Sequence, residues 1–182
     1  LALARQQDPG TQFACGDGLA LPYPAAYFDA AVCHFFLLWA GEAERALAEM
    51  CRVTRPGGHL AAMAEPDYGG RIDYPPGLEA PGRLQAVALE RQGAAPYLGR
   101  RLAGLCAQAG LRQIQFGLLG GHWSNPPAPG AAKSEWAVLQ ADLEGLASPE
   151  QMEAWRRVEV EASERGERVL FVPTFYAWGE VA

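Results

Sequence analysis

Asp17 stands between two glycines, Gly16 and Gly18, directly after the β-type run Thr11–Cys15. A carboxylate in so tight a turn has two uses. It can cap the turn through a neighbouring N–H, as Asp commonly does. It can also accept a hydrogen bond from a ligand at the carboxyl edge of a parallel sheet, where α/β folds bind small molecules. His34 lies near the end of the apolar run Phe28–Phe36. Imidazole titrates near neutrality, which makes His34 the candidate general base; a lone His beside aromatics such as Phe35 and Phe36 is more often a packed core or cleft residue. Phe35, Phe36 and Trp39 offer aromatic faces that attract cations and also fill cores.

A second polar set begins at Glu65-Pro66-Asp67-Tyr68 and continues through Arg71, Asp73 and Tyr74. Asp67, Tyr68 and Tyr74 are candidates for a substrate pocket. They are joined by His122 and Trp123 from a Pro/Gly segment, and by Tyr176 near the last strand. Glu65 reads instead as a structural carboxylate held by loop N–H groups. Glu49 and Arg52 read as a helix-surface ion pair, worth little if exposed. Asp29 reads as a strand cap.

The elements that must position these residues alternate. Leu1–Gln7 reads as the tail of a helix ended by Asp8-Pro9-Gly10. Phe28–Phe36 is apolar throughout, as a central parallel strand buried on both faces requires. Glu42–Val53 has helical spacing, stopped by Arg55-Pro56-Gly57-Gly58. His59–Ala64 is a second buried strand. Strand, helix and strand in this order predict an α/β fold with a parallel sheet. Further on, Tyr68–Gly82 reads as loop, Gly82–Gln92 and Leu98–Gln108 as helices, and Arg112–Leu118 as a strand. Lys133–Leu146 and Pro149–Arg165 read as helices, the second opened by the capping residues Ser148-Pro149-Glu150-Gln151. Arg168–Phe175 reads as the last strand, with Tyr176, Trp178 and Val181 beyond it. The 182 residues form one domain, with 119–166 a helical substrate cover inserted before the last strand.

Composition narrows the function classes. The chain is 49% hydrophobic and 20% charged, the balance of a globular protein. A formal net charge of -6 disfavours a nucleic-acid partner. No stretch is long and apolar enough for a membrane span. Cys15, Cys33, Cys51 and Cys106 form no CxxC pair and have no histidine at finger spacing, so no metal site is expected. Free, buried thiols fit a reduced, cytoplasmic compartment.

Three segments together resemble the class I S-adenosylmethionine (SAM)-dependent methyltransferases of the small-molecule type, close to the ubiquinone/menaquinone-biosynthesis group. They are Gly16-Asp17-Gly18-Leu19-Ala20-Leu21-Pro22-Tyr23, like GDAxxLPF; Phe28-Asp29-Ala30-Ala31-Val32, like FDxV; and Leu47 to Gly58, like LxExxRVLxPGG. The resemblance implies a Rossmann-like sheet with an antiparallel last strand. It implies SAM as cofactor, with Asp17 accepting from the adenine amine, the Gly18 N–H serving a ring nitrogen, and His34 and Phe35 near the methionine part. It also implies a small-molecule methyl acceptor. A homodimer is a further expectation. The family's glycine loop, first two strands and ribose-binding acid are expected before Leu1, a span of roughly 60 residues. Without them, this stretch alone is expected to be inactive.

Two other readings stand beside this one. A nicotinamide-dependent oxidoreductase shares the Rossmann architecture, but no Tyr-x-x-x-Lys pair is present and Lys133 is the only lysine. A non-catalytic methyltransferase-like domain used for binding or dimerisation is the third.

Overall fold

The computed structural model describes residues 2–120 and 131–182, and for residues 131–134 the backbone alone. Six helices and six strands are found among the described residues: α1 (Ala2–Gln7), β1 (Phe28–His34), α2 (Ala43–Val53), β2 (Thr54–Pro66), β3 (Ile72–Tyr74), α3 (Glu79–Arg91), α4 (Leu102–Gln108), β4 (Leu111–Leu119), α5 (Ala131–Asp142), α6 (Pro149–Glu164), β5 (Val169–Phe171) and β6 (Thr174–Val181).

The main sheet has the order β1-β2-β6-β4. β1 and β2 are parallel, and β6 runs antiparallel between β2 and β4. The expected parallel pair and antiparallel last strand are therefore present. Apolar spacing explains α2: Ala43, Ala46, Leu47, Met50 and Val53 are buried on one stripe, while Glu44 and Arg45 stay outside. That stripe and Leu102, Leu105 and Cys106 of α4 pack on Leu60, Ala62 and Ala177, forming the core on one face. Between Thr54 and His59 the chain bulges out, because Phe28 pairs with Thr54 and Ala30 already with His59. Gly57 takes φ +75 in that bulge, which favours glycine there.

Several expectations are corrected. Thr11–Cys15 forms no strand; none of its neighbours pairs with it, and a strand exists only through its ladder. Phe28–Phe36 gives a strand shorter than expected, ending at His34; among the described residues β1 pairs with β2 alone, and Val32 is 67% exposed. The stretch Tyr68–Gly82 is not all loop. It contains two 3-10 turns and β3, and α3 begins at Glu79, three residues before the expected start. Pro81 fits in the first turn of α3, where no N–H partner is needed. Arg168–Phe175 is not one strand. Pro173 divides it, so Val169–Phe171 pairs with β3 in a separate two-stranded sheet while β6 enters the main sheet.

Beyond the end of β2, the β3–β5 ribbon, α3, α5 and α6 make a second layer. The capping residues at Ser148 behave as read: its hydroxyl accepts from the Gln151 N–H and the Gln151 side chain accepts from the Ser148 N–H. No helix among the described residues is long and apolar enough to cross a membrane.

Candidate active site

The Gly16-Asp17-Gly18 turn combines both roles open to Asp17. One carboxylate oxygen accepts the Leu19 N–H at 2.9 Å, and the Asp17 carbonyl accepts the Ala20 N–H at 3.1 Å. The second carboxylate oxygen and the Gly18 N–H make no hydrogen bond among the described residues. Asp17 is exposed. A Cβ on Gly18 would lie 2.6 Å from the Phe36 ring, so only glycine allows the ring to close on this turn. The turn is thereby joined to the carboxyl end of β1. Gly16, Gly18, Val32 and Phe36 line a groove of about 440 Å³ along the β1 edge.

Glu49 and Arg52 form the expected ion pair, at 2.7 Å, but do more than that. Glu49 accepts the Leu21 N–H at 2.8 Å. Arg52 donates to the carbonyls of Tyr23 at 2.9 Å and Leu21 at 3.0 Å. The helix thus clamps the loop that follows Asp17. The Arg52 hydrogen bond holds the Glu49 carboxyl down at about 2, against the upward push of its partial burial.

His34 ends β1 opposite Met63 and is exposed. Phe35 takes φ +51, donates its N–H to the Met63 carbonyl at 2.9 Å and remains 43% exposed. The next three N–H groups all go to one carboxylate. Glu65, fully buried, accepts from Phe36 at 3.0 Å, Leu37 at 2.9 Å and Leu38 at 3.1 Å. It is the structural carboxylate the sequence suggested, and it fixes the backbone that leaves His34 and Phe35.

Among the described residues, Asp67, Tyr68, Tyr74 and Tyr176 do not line one cavity. Asp67 is buried and turned away from open space: Arg100 binds both its oxygens, and the Gly69 N–H reaches Oδ1 at 2.9 Å. Burial raises the Asp67 carboxyl, but the Arg100 contacts outweigh it and the net shift is downward. Tyr74 is exposed on β3, and the Tyr176 ring lies against Gly117 on the main sheet. His122 and Trp123 lie outside the described residues. Among the described residues of the set, Tyr68 lines a cavity of about 310 Å³, together with Arg71, Gln85, Glu135, Trp136, Leu139, Glu159, Arg168 and Leu170. Its hydroxyl is pushed up by burial.

A buried ionic network, which the sequence reading missed apart from naming Arg71 and Asp73, forms the cavity wall. Arg71 meets Asp73 at 2.5 Å and also donates to Gln85. Arg168 meets Asp73 at 2.9 Å and Glu159 at 2.7 Å. Gln85 donates onward to Asp142 at 2.7 Å. These residues come from β3, α3, α5, α6 and the start of β5, and no spacing along the chain links them.

The chain is similar in part to known proteins. Residues 1–62 match the family described as a methyltransferase domain. The demethylmenaquinone methyltransferase of Renibacterium salmoninarum is 41% identical over 71 residues, 38% of this chain and 30% of that protein. Its counterpart in Thermus thermophilus is 33% identical over 108 residues, 57% of this chain and 44% of that protein. The chain spans less than half the length of these relatives. A SAM-dependent methyltransferase of Thermotoga maritima, possible histamine N-methyltransferase, superposes with a TM-score of 0.56 at 15% identity, over 100% of this chain and 68% of that one. At that identity the likeness concerns the fold.

Proposed function

We propose that this chain, part of a class I SAM-dependent methyltransferase domain, holds the adenine side of SAM and takes part in methyl transfer to a small molecule. The carrying observation is the junction of Gly18 with Phe36, which brings the Asp17 turn to the carboxyl end of β1. The free Asp17 oxygen is an acceptor suited to an exocyclic amine, and the Gly18 N–H is a donor suited to a ring nitrogen. The Glu49–Arg52 clamp holds the loop that follows that turn. His34 and Phe35, fixed from behind by Glu65, stand where the methionine part would lie.

Bound SAM supplies an electrophilic methyl on a positively charged sulfur. The sulfur leaves neutral, so the chain's residues need not stabilise an anion. Their task is to hold the acceptor in line, about 3 Å from the methyl, and to exclude water. A base is required only where the acceptor must lose a proton. His34, whose imidazole makes no hydrogen bond among the described residues, is the candidate. We place the acceptor beneath α5 and α6, the helices of the expected cover. The unpaired thiols suit a reducing, cytoplasmic setting.

The named activity of the relatives stays with them, because this chain spans less than half of their length. The antiparallel β6 supports a methyltransferase over a nicotinamide enzyme. The non-catalytic reading is separated by experiment. The full-length protein carrying this chain is incubated with methyl-labelled SAM and small-molecule extract. Label should pass into the acceptor fraction; binding of S-adenosylhomocysteine without any transfer would favour the non-catalytic reading.

A further inference from the structure

The cavity beneath α5 is rich in acceptors. Two guanidiniums, Arg71 and Arg168, and two carboxylates, Glu159 and Glu135, line it, while Asp73 and Asp142 lie behind, bound to the guanidiniums and to Gln85. Neither guanidinium is open to an anionic ligand. Arg71 is taken by Asp73 and Gln85; Arg168 is taken by Glu159, Asp73 and the carbonyls of Tyr74 and Val169. Glu135 differs from the other carboxylates. It stands at the cavity mouth with no hydrogen-bond partner among the described residues, next to Trp136 in the same wall. Desolvation and the neighbouring Glu159 push its carboxyl upward, and Arg168 and Arg71 pull it back only in part. The apolar remainder, Trp136, Leu139 and Leu170, suits a compact hydrocarbon or aromatic body.

We infer that this cavity binds a small molecule with a protonated nitrogen, the ammonium paired with Glu135 and the apolar body set against Trp136, Leu139 and Leu170. That this ligand is the methyl acceptor rests on the function proposed above; the binding preference does not. The nitrogen is the anchor and need not be the atom methylated. With both guanidiniums already paired, the exposed Glu135 carboxylate at the mouth repels carboxylates of the same size, and neutral analogues lack the ionic contact.

Calorimetric titrations of the full-length protein with phenethylammonium, 2-phenylethanol and phenylacetate test the inference, each with and without S-adenosylhomocysteine. Phenethylammonium should bind at least tenfold more tightly than 2-phenylethanol, and phenylacetate more weakly than either. Glu135→Gln should lower the ammonium affinity tenfold or more, leaving 2-phenylethanol and S-adenosylhomocysteine binding unchanged; those two controls also report that the variant is folded. Equal or tighter binding of phenylacetate, or an ammonium affinity untouched by Glu135→Gln, would overturn the inference. Ammonium preference without S-adenosylhomocysteine binding would keep the pocket and remove its acceptor role. The reverse pattern would remove the pocket and keep the methyltransferase reading.

Discussion

Two carboxylates near the cofactor edge act through backbone they hold. Glu65 satisfies three consecutive N–H groups, and its removal leaves those donors buried without partners. Each such donor costs about 1–3 kcal/mol. Glu65→Ala should therefore destabilise the protein by at least about 3 kcal/mol in denaturant melts, with Glu65→Gln between it and the parent; a loss below 1 kcal/mol would contradict this role. Glu49 gives a pH signature. Its folded-state pKa is depressed to about 2, below the ordinary value of about 4.3. The stability it contributes is present above the ordinary value and lost as pH falls through the folded one. Melting temperature should fall over that acid window, and Arg52→Met should reduce the part of the fall that Glu49 supplies. The sequence showed Glu49 and Arg52 as a pair but not as a clamp, because their loop partners, Leu21 and Tyr23, are backbone groups about 30 positions away.

Elements with strong local signals were legible, and those defined by partners were not. The stripe from Ala43 to Val53 and the Ser148–Gln151 cap are patterns within one helix, and both took the expected form. Thr11–Cys15 and Arg168–Phe175 have strand composition, but which ladder a strand joins is decided elsewhere in the chain. The same limit hid the cavity, whose wall draws on five elements. Its network ties α6 to the β3–β5 ribbon through Arg168, which is only 14% exposed. Arg168→Met leaves Asp73 with one cation and Glu159 with none. Breaking a buried pair in this way costs about 3–5 kcal/mol. Chemical denaturation should show a loss of that size, and a change under 1 kcal/mol would mean that the network does not hold the layer together.

For the whole molecule, the main sheet is covered on one face by α2 and α4, while Val32 on β1 and its register partners Ala61 and Trp178 lie on the other. Leu60 is fully buried beneath α2 and α4, whereas Val32 stands open on β1, which pairs only with β2 among the described residues. Edge strands with exposed apolar side chains invite association. The 182-residue chain alone should self-associate with rising concentration in light scattering, and Val32→Lys should reduce this; a monomer at all concentrations would contradict it. The opening feature of the sequence, Asp17 in its glycine turn, remains the centre of the functional reading. Calorimetry of S-adenosylhomocysteine against the full-length protein tests it most directly. Saturable binding is expected, weakened about tenfold or more by Asp17→Ala through loss of a hydrogen bond to a charged group; no binding at millimolar ligand, or an affinity unchanged in the variant, would contradict the cofactor role of this turn.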